Sequence, residues 1–172
     1  MVSFVLIAGW AGAQPGSAGA IASADEDALR RLMPQADRFE LVETGARHFR
    51  GYGAVAGHEP ALVGLAFFTT DLAPRVYAYK GRITMLVAMD TAGRLIGVRV
   101  VHHYEPFGYF SIDLPAFADQ FRAKSILDPL EVGDDIDGVS RATITVTAAT
   151  RAIRQAARQL AREFLAAQVS ER

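Results

Sequence analysis

The chain has 172 residues and a mass of 18.6 kDa, the size of one domain, with 51% apolar residues, 22% charged residues and a mean hydropathy of +0.15. That composition excludes a disordered chain. A net charge of -1 excludes the cationic excess that a nucleic-acid backbone or an anionic membrane surface requires, and the lack of cysteine excludes disulfides, thiolate metal sites, iron–sulfur clusters and a cysteine nucleophile.

Residues 1–24 read as a signal peptide or a trimmed anchor. About a dozen apolar residues are followed by small ones, and two small-x-small sites, Ala11-Gly12-Ala13 and Ala18-Gly19-Ala20, suit a signal peptidase. The run is shorter than the roughly 20 residues of a spanning helix. An ordinary buried strand over residues 2–7 is the competing reading. The mature domain is then 25–172, in a periplasmic or otherwise extracytoplasmic setting, with possible membrane association.

A short helix over residues 28–33 follows from Leu29, Leu32 and Met33 at helical spacing, with Pro34 as its stop. Residues 39–42, 49–55 and 62–70 are strand-like, and 71–80 form a connecting loop. Residues 82–90 and 95–102 form a hairpin about Thr91-Ala92-Gly93-Arg94, in which Gly93 supplies the positive φ. Ile96, Val98 and Val100 are expected to share the buried face of its second strand. Residues 104–113 form an aromatic-rich loop, and 114–124 a helix with Pro115 in its first turn and Phe117 and Phe121 on one face. An acidic turn over 131–137 leads through 139–147 to a long Ala-rich helix over 148–168, whose apolar stripe is Ile153, Ala157, Leu160, Phe164 and Ala167. Arg151, Arg154, Arg158 and Arg162 are expected to form its solvated face. The fold class is α+β: an antiparallel sheet with packed helices and a long C-terminal helix.

Most chemical constellations are missing from this chain. His102 and His103 are adjacent, so on a strand they point apart and do not chelate one ion; no metal site is expected. No G-x-S-x-G marks a nucleophile elbow, Gly51-Tyr52-Gly53 lacks the third glycine of a dinucleotide fingerprint, and Asp134, Asp135 and Asp137 lack the glycine and glutamate of a calcium loop.

The informative segment is Asp137-Gly138-Val139-Ser140-Arg141-Ala142-Thr143. It resembles the flavinylation motif Asp-x-x-(Ser/Thr)-Gly-Ala-(Thr/Ser) of the FMN-binding domain family, found in the sodium-translocating NADH:quinone oxidoreductase, in the Rnf complex and in the nitrous-oxide reductase regulator. The order of LVGLAFFTTDLAP, RITMLVAMDTAGRLIGVRVVHHYEP, FADQFRAKSI and DGVSRATITV extends the resemblance over residues 61–165, nearest to the regulator type.

The resemblance implies an electron-transfer flavoprotein rather than a stand-alone catalyst, with FMN joined covalently by a phosphoester to Thr143. It implies a flavin transferase for maturation and a membrane redox complex or other electron-transfer protein as partner, but no nucleic acid. Asp137, Ser140, Arg141 and Ala142 join Thr143 as cofactor-binding residues, Asp137 to orient a metal or the attacking hydroxyl during transfer. Glu105, Pro106 and Gly108 occupy the loop that approaches the flavin in that family. Two alternatives stay open, a non-redox binding or assembly module that has lost its flavin, and non-covalent FMN binding.

Arg141 departs from the motif glycine; its side chain either crowds the transferase or offers a charge-assisted hydrogen bond to the phosphate. The start of the long helix suits an anion, and Thr145 or Thr147 is expected to cap it. Tyr104, Phe107, Tyr109 and Phe110 are available to pack on the flavin ring or in the core.

Overall fold

The computed structural model describes residues 23–170, with side chains over 25–164. The expected signal segment therefore lies outside the described residues, apart from its last two positions, as does the side chain of Ala167 in the helix stripe. Helix α1, Ser23–Leu32, is followed by strands β1 (Arg38–Val42), β2 (His48–Val55) and β3 (His58–Phe68). After the single turn α2 (Thr69–Leu72) come β4 (Thr84–Met89), β5 (Leu95–His102), α3 (Pro115–Asp119) and α4 (Thr143–Ser170). The five strands form an antiparallel meander in chain order, so the fold is α+β as expected.

Helices cover both faces of this sheet. Leu65, Phe67, Met85, Val87 and Val98 meet Val146, Ala149, Ile153, Ala156 and Leu160 of α4 on one face. Leu41, Phe49, Ala66, Leu86 and Ala88 meet Leu29 and Met33 of α1 on the other. Full burial of an aliphatic side chain contributes about 1.5–3 kcal/mol, so α4 is held by its packed stripe rather than by intrinsic propensity. Strand β4, buried from Met85 to Met89, consequently lacks any polar alternation.

The hairpin turn forms as expected. Gly93 has φ +79°, and the Asp90 carboxylate accepts from the amides of Ala92 at 2.9 Å and Arg94 at 2.8 Å. The expected alternation along β5 is interrupted. Ala88 pairs with Gly97 but Met89 with Leu95, so Ile96 is an extra residue that packs on the α1 face, while Val98 and Val100 face α4.

Other boundaries differ from expectation too: α1 begins at Ser23 rather than residue 28, and β3 at His58 rather than residue 62. Thr69 and Thr70 begin a helical turn instead of ending β3, because the buried Thr69 hydroxyl donates to the Ile83 carbonyl and accepts from the Met85 amide, both at 3.0 Å. The helix at Pro115 stops at Asp119 and passes into turns ending at Ala123, whose φ is +62°. Phe117 and Phe121 still stack edge to face, 5.2 Å between centroids. Finally, α4 starts at Thr143, five residues before the expected position.

The arginine stripe of α4 is also not simply solvated. Arg158 donates to the carbonyls of Ile126 at 2.8 Å and Asp128 at 2.7 Å, and Arg154 to the Pro129 carbonyl at 3.2 Å and the Glu131 carboxylate at 2.9 Å. These bonds tie the acidic segment to the helix; Arg151 and Arg162 remain exposed. Among the described residues, no helix is long and apolar enough to cross a membrane.

One buried histidine makes stability depend on pH. His48, at the start of β2, is 6% exposed, and burial holds its imidazole below the usual value of 6.5, outweighing the opposite pull of the Ala46 carbonyl 2.6 Å from Nδ1. The unfolded chain therefore takes up this proton first as pH falls. The stabilisation is complete above the unfolded value and is lost as pH drops below it toward the folded value. Urea midpoints are expected to fall between about pH 7 and about pH 5, and to fall less in His48→Asn, whose amide replaces the Nδ1 donor. Equal slopes for the two proteins would contradict this assignment.

Candidate functional site

Two loops converge on the start of α4. One is the segment after α2, where Tyr79 and Lys80 lie; the other follows β5 and contains Glu105 and Phe107. Glu105 is 6% exposed and joins all three elements. Its carboxylate accepts from the Lys80 amide at 2.6 Å, the Tyr79 amide at 3.3 Å and the Thr145 hydroxyl at 2.6 Å. A buried carboxylate with three donors is well satisfied, and its position beside the first turn of α4 also suits the helix dipole.

The loop around Glu105 is itself braced. His103 Nδ1 accepts from the Glu105 amide at 3.0 Å, which assigns the ring proton to Nε2, the nitrogen 2.8 Å from Asp113 Oδ1. Gly108 lies directly under that ring, and a Cβ there would collide with it. Ser111 Oγ donates to the Phe107 carbonyl at 2.7 Å, closing the 3-10 turn over Gly108–Phe110.

Together these elements enclose a cavity of about 410 Å³ lined by Tyr79, Phe107, Arg141, Ala142, Thr143, Ile144 and Thr145. Such a volume lies in the range of small-molecule pockets, about 300–1,000 Å³. Its wall is mainly apolar, with one aromatic ring from each loop. Thr143 is the first residue of α4 and is exposed, as is Ile144, whereas Ala142 is buried beneath them. The Ala142 carbonyl accepts from the Val146 amide at 2.9 Å, so the amides of the first helical residues precede the internal hydrogen-bond ladder.

Neither expected cap operates. The Thr145 hydroxyl is directed to Glu105, and Thr147 lies on the exposed side one turn into the helix.

Of the residues singled out in the sequence, the cavity brings together Arg141, Ala142, Thr143, Thr145 and Phe107. Glu105 acts from behind the wall, through Thr145 and the Tyr79–Lys80 backbone. Gly108 supports the loop, and Pro106 is exposed beside it. Asp137 and Ser140 are on the approach to α4 without lining the cavity, and both are exposed; the Asp137 amide donates to Gln120 Oε1 at 2.6 Å. Tyr104 and Tyr109 are exposed away from the wall, and Phe110 packs on the core. Sequence reading missed Tyr79 and Ile144. Tyr79 sits in a segment with no motif, and only its amide bond to Glu105 places it here.

Arg141 has φ +69°, in the left-handed region that glycine enters freely. The motif's glycine therefore has a conformational reason, and an L-residue at this point costs about 1–2 kcal/mol. Allowing for the greater freedom of glycine in the unfolded chain, Arg141→Gly is expected to stabilise the flavin-free domain by about 0.5–1 kcal/mol in urea unfolding. A destabilised variant would show that the arginine side chain outweighs the strain.

The fold thus sets a mainly apolar cavity at the start of a long helix. Residues 78–158, a little under half of the chain, match the FMN-binding domain family. The chain is similar to the G component of the ion-translocating oxidoreductase complex in Pseudomonas aeruginosa strains UCBPP-PA14 and PAO1. Each is 34% identical over 90 residues, which cover 46% of this chain and 42% of the relative. The match thus spans less than half the length of those relatives.

The residues present fit FMN. Aromatic and aliphatic side chains offer surface for an isoalloxazine ring, and the first amides of α4 with the Arg141 cation suit a phosphate.

Proposed function

We propose that this chain is an extracytoplasmic electron-transfer domain whose FMN is joined by a phosphoester bond to Thr143. The observation that carries this reading is the place of Thr143: its exposed hydroxyl-bearing side chain opens α4 on the wall of an apolar cavity, within the region matched to the FMN-binding family. When bound, FMN supplies the electron-accepting and electron-donating chemistry, and the protein sets access and potential around it.

Attachment is the work of a flavin transferase using FAD. Thr143 Oγ attacks the phosphorus on the FMN side of the FAD pyrophosphate, the phosphoanhydride bond breaks, AMP leaves, and the hydroxyl proton passes to base. No net oxidation occurs. Asp137 and Ser140 are available to the transferase during this step, Asp137 as an orienting carboxylate. In the finished domain Ala142 keeps the wall apolar, while Glu105, with Gly108 and Pro106 in its loop, holds the opposite side in place.

The name of the relatives supports a membrane redox complex as the electron partner. Residues 1–24 would direct or anchor residues 25–172 on the outer side of the membrane.

The test is co-expression with a flavin transferase, followed by denaturation and intact-mass measurement. A gain of one FMN less one water is expected. Flavin that leaves on acid precipitation would replace this reading with non-covalent binding. A colourless protein with no mass gain would favour a non-redox module of the same fold.

A further inference from the structure

We infer that Arg141 is the charge partner of the FMN phosphate, a role specific to this chain because the motif places a glycine there. The inference rests on the Thr143 attachment reading and deepens it. Three observations converge on the residue.

Its backbone holds a left-handed conformation, φ +69°, for which glycine is the unstrained choice. Strain kept at a site calls for an interaction that repays it. The Arg141 side chain lines the same cavity as Thr143, two residues further along the chain. Among the described residues, every ion pair within 4.0 Å involves other side chains, so the Arg141 guanidinium has no carboxylate partner there.

The surroundings specify an anion. The other lining residues, Tyr79, Phe107, Ala142, Thr143, Ile144 and Thr145, carry no formal charge at neutral pH. The nearby acid, Glu105, sits behind Thr145 with its oxygens occupied by three donors. A phosphodiester on Thr143 would bring one negative charge to this wall, and the planar guanidinium with its fork of N–H donors matches phosphate oxygens. The start of α4 adds its dipole in the same sense.

The test compares thermal unfolding of flavin-loaded and flavin-free forms of wild type, Arg141→Lys and Arg141→Gln. Backbone strain is common to the two forms of each protein, so it cancels in the difference. Loading is expected to raise Tm by about 2–4 °C more in wild type than in Arg141→Gln, with Arg141→Lys between them and the excess shrinking in high salt. Arg141→Gln that fails to load while Arg141→Lys loads would place the same charge requirement at attachment. An equal rise in wild type and Arg141→Gln would overturn the inference, as would failure of both variants to load beside a loaded wild type. Wild type that gains no FMN mass under denaturing conditions would instead remove the attachment reading, and this inference with it.

Discussion

Thr143→Ala, produced with a flavin transferase, is expected to contain no acid-stable flavin, while wild type gains one FMN less one water. The loss is complete because alanine has no oxygen with which to form the phosphoester. It is also clean, since Thr143 is exposed and alanine is the best helix former. The substitution should change folding stability by no more than about 0.5 kcal/mol and leave circular dichroism unaltered. Thr143→Ser keeps the hydroxyl and is expected to load.

Neighbouring hydroxyls make the outcome diagnostic. Thr145 has its hydroxyl engaged by Glu105 at 2.6 Å, whereas Ser140 and Thr147, both exposed, lie on either side. Covalent flavin persisting in Thr143→Ala would transfer the attachment to one of these positions and refute the Thr143 assignment. Peptide mapping of the yellow fragment would identify which.

Glu105→Ala is expected to destabilise the domain by about 3 kcal/mol, lowering Tm by roughly 6–10 °C. The substitution removes a charged acceptor from two amides and a hydroxyl in a buried position. Hydrogen bonds to charged groups contribute about 1.5–3 kcal/mol, and donors left buried without partners add their desolvation cost, while water entering the vacated space offsets part of the loss. Glu105→Gln retains one good acceptor but turns an N–H₂ group toward other donors, so it should cost about half as much.

The effect has a local signature. Amide exchange at Tyr79 and Lys80 should accelerate in both variants, because those amides lose the carboxylate that holds their loop against α4. Flavin loading should weaken in parallel as Tyr79 leaves the cavity wall. Unchanged protection at Tyr79 and Lys80 would show that the loop is held by other contacts.

Local chemistry was legible in the chain wherever neighbours in sequence settle the matter. The Asp90–Arg94 turn is one example, since Gly93 and the Asp90 carboxylate determine it within five residues. The Phe117–Phe121 pair is another, as their four-residue separation brings the rings together even though the helix gives way to turns after Asp119. The start of α4 was not legible. Thr143, Ile144, Thr145, Val146 and Thr147 are β-branched and favour strands on their own, but Val146 and Ala149 bury against the sheet and Thr145 bonds to Glu105, which tips the segment into helix. Packing likewise turned Ile96 to the α1 face through a bulge that no local pattern announces.

Composition and motif by themselves determined the class of this protein: one α+β domain without thiol chemistry, carrying a flavinylation-like segment that ends at Thr143. Only the tertiary structure decided what stands around that segment. It brought Tyr79 from a loop far back in the chain, directed Glu105 to three donors on two elements, and put Arg141 into the backbone conformation of a glycine. The reason is physical. A motif encodes the groups that react, which are close in sequence, whereas a cavity and its buried hydrogen bonds arise from segments that meet only when the sheet and α4 pack.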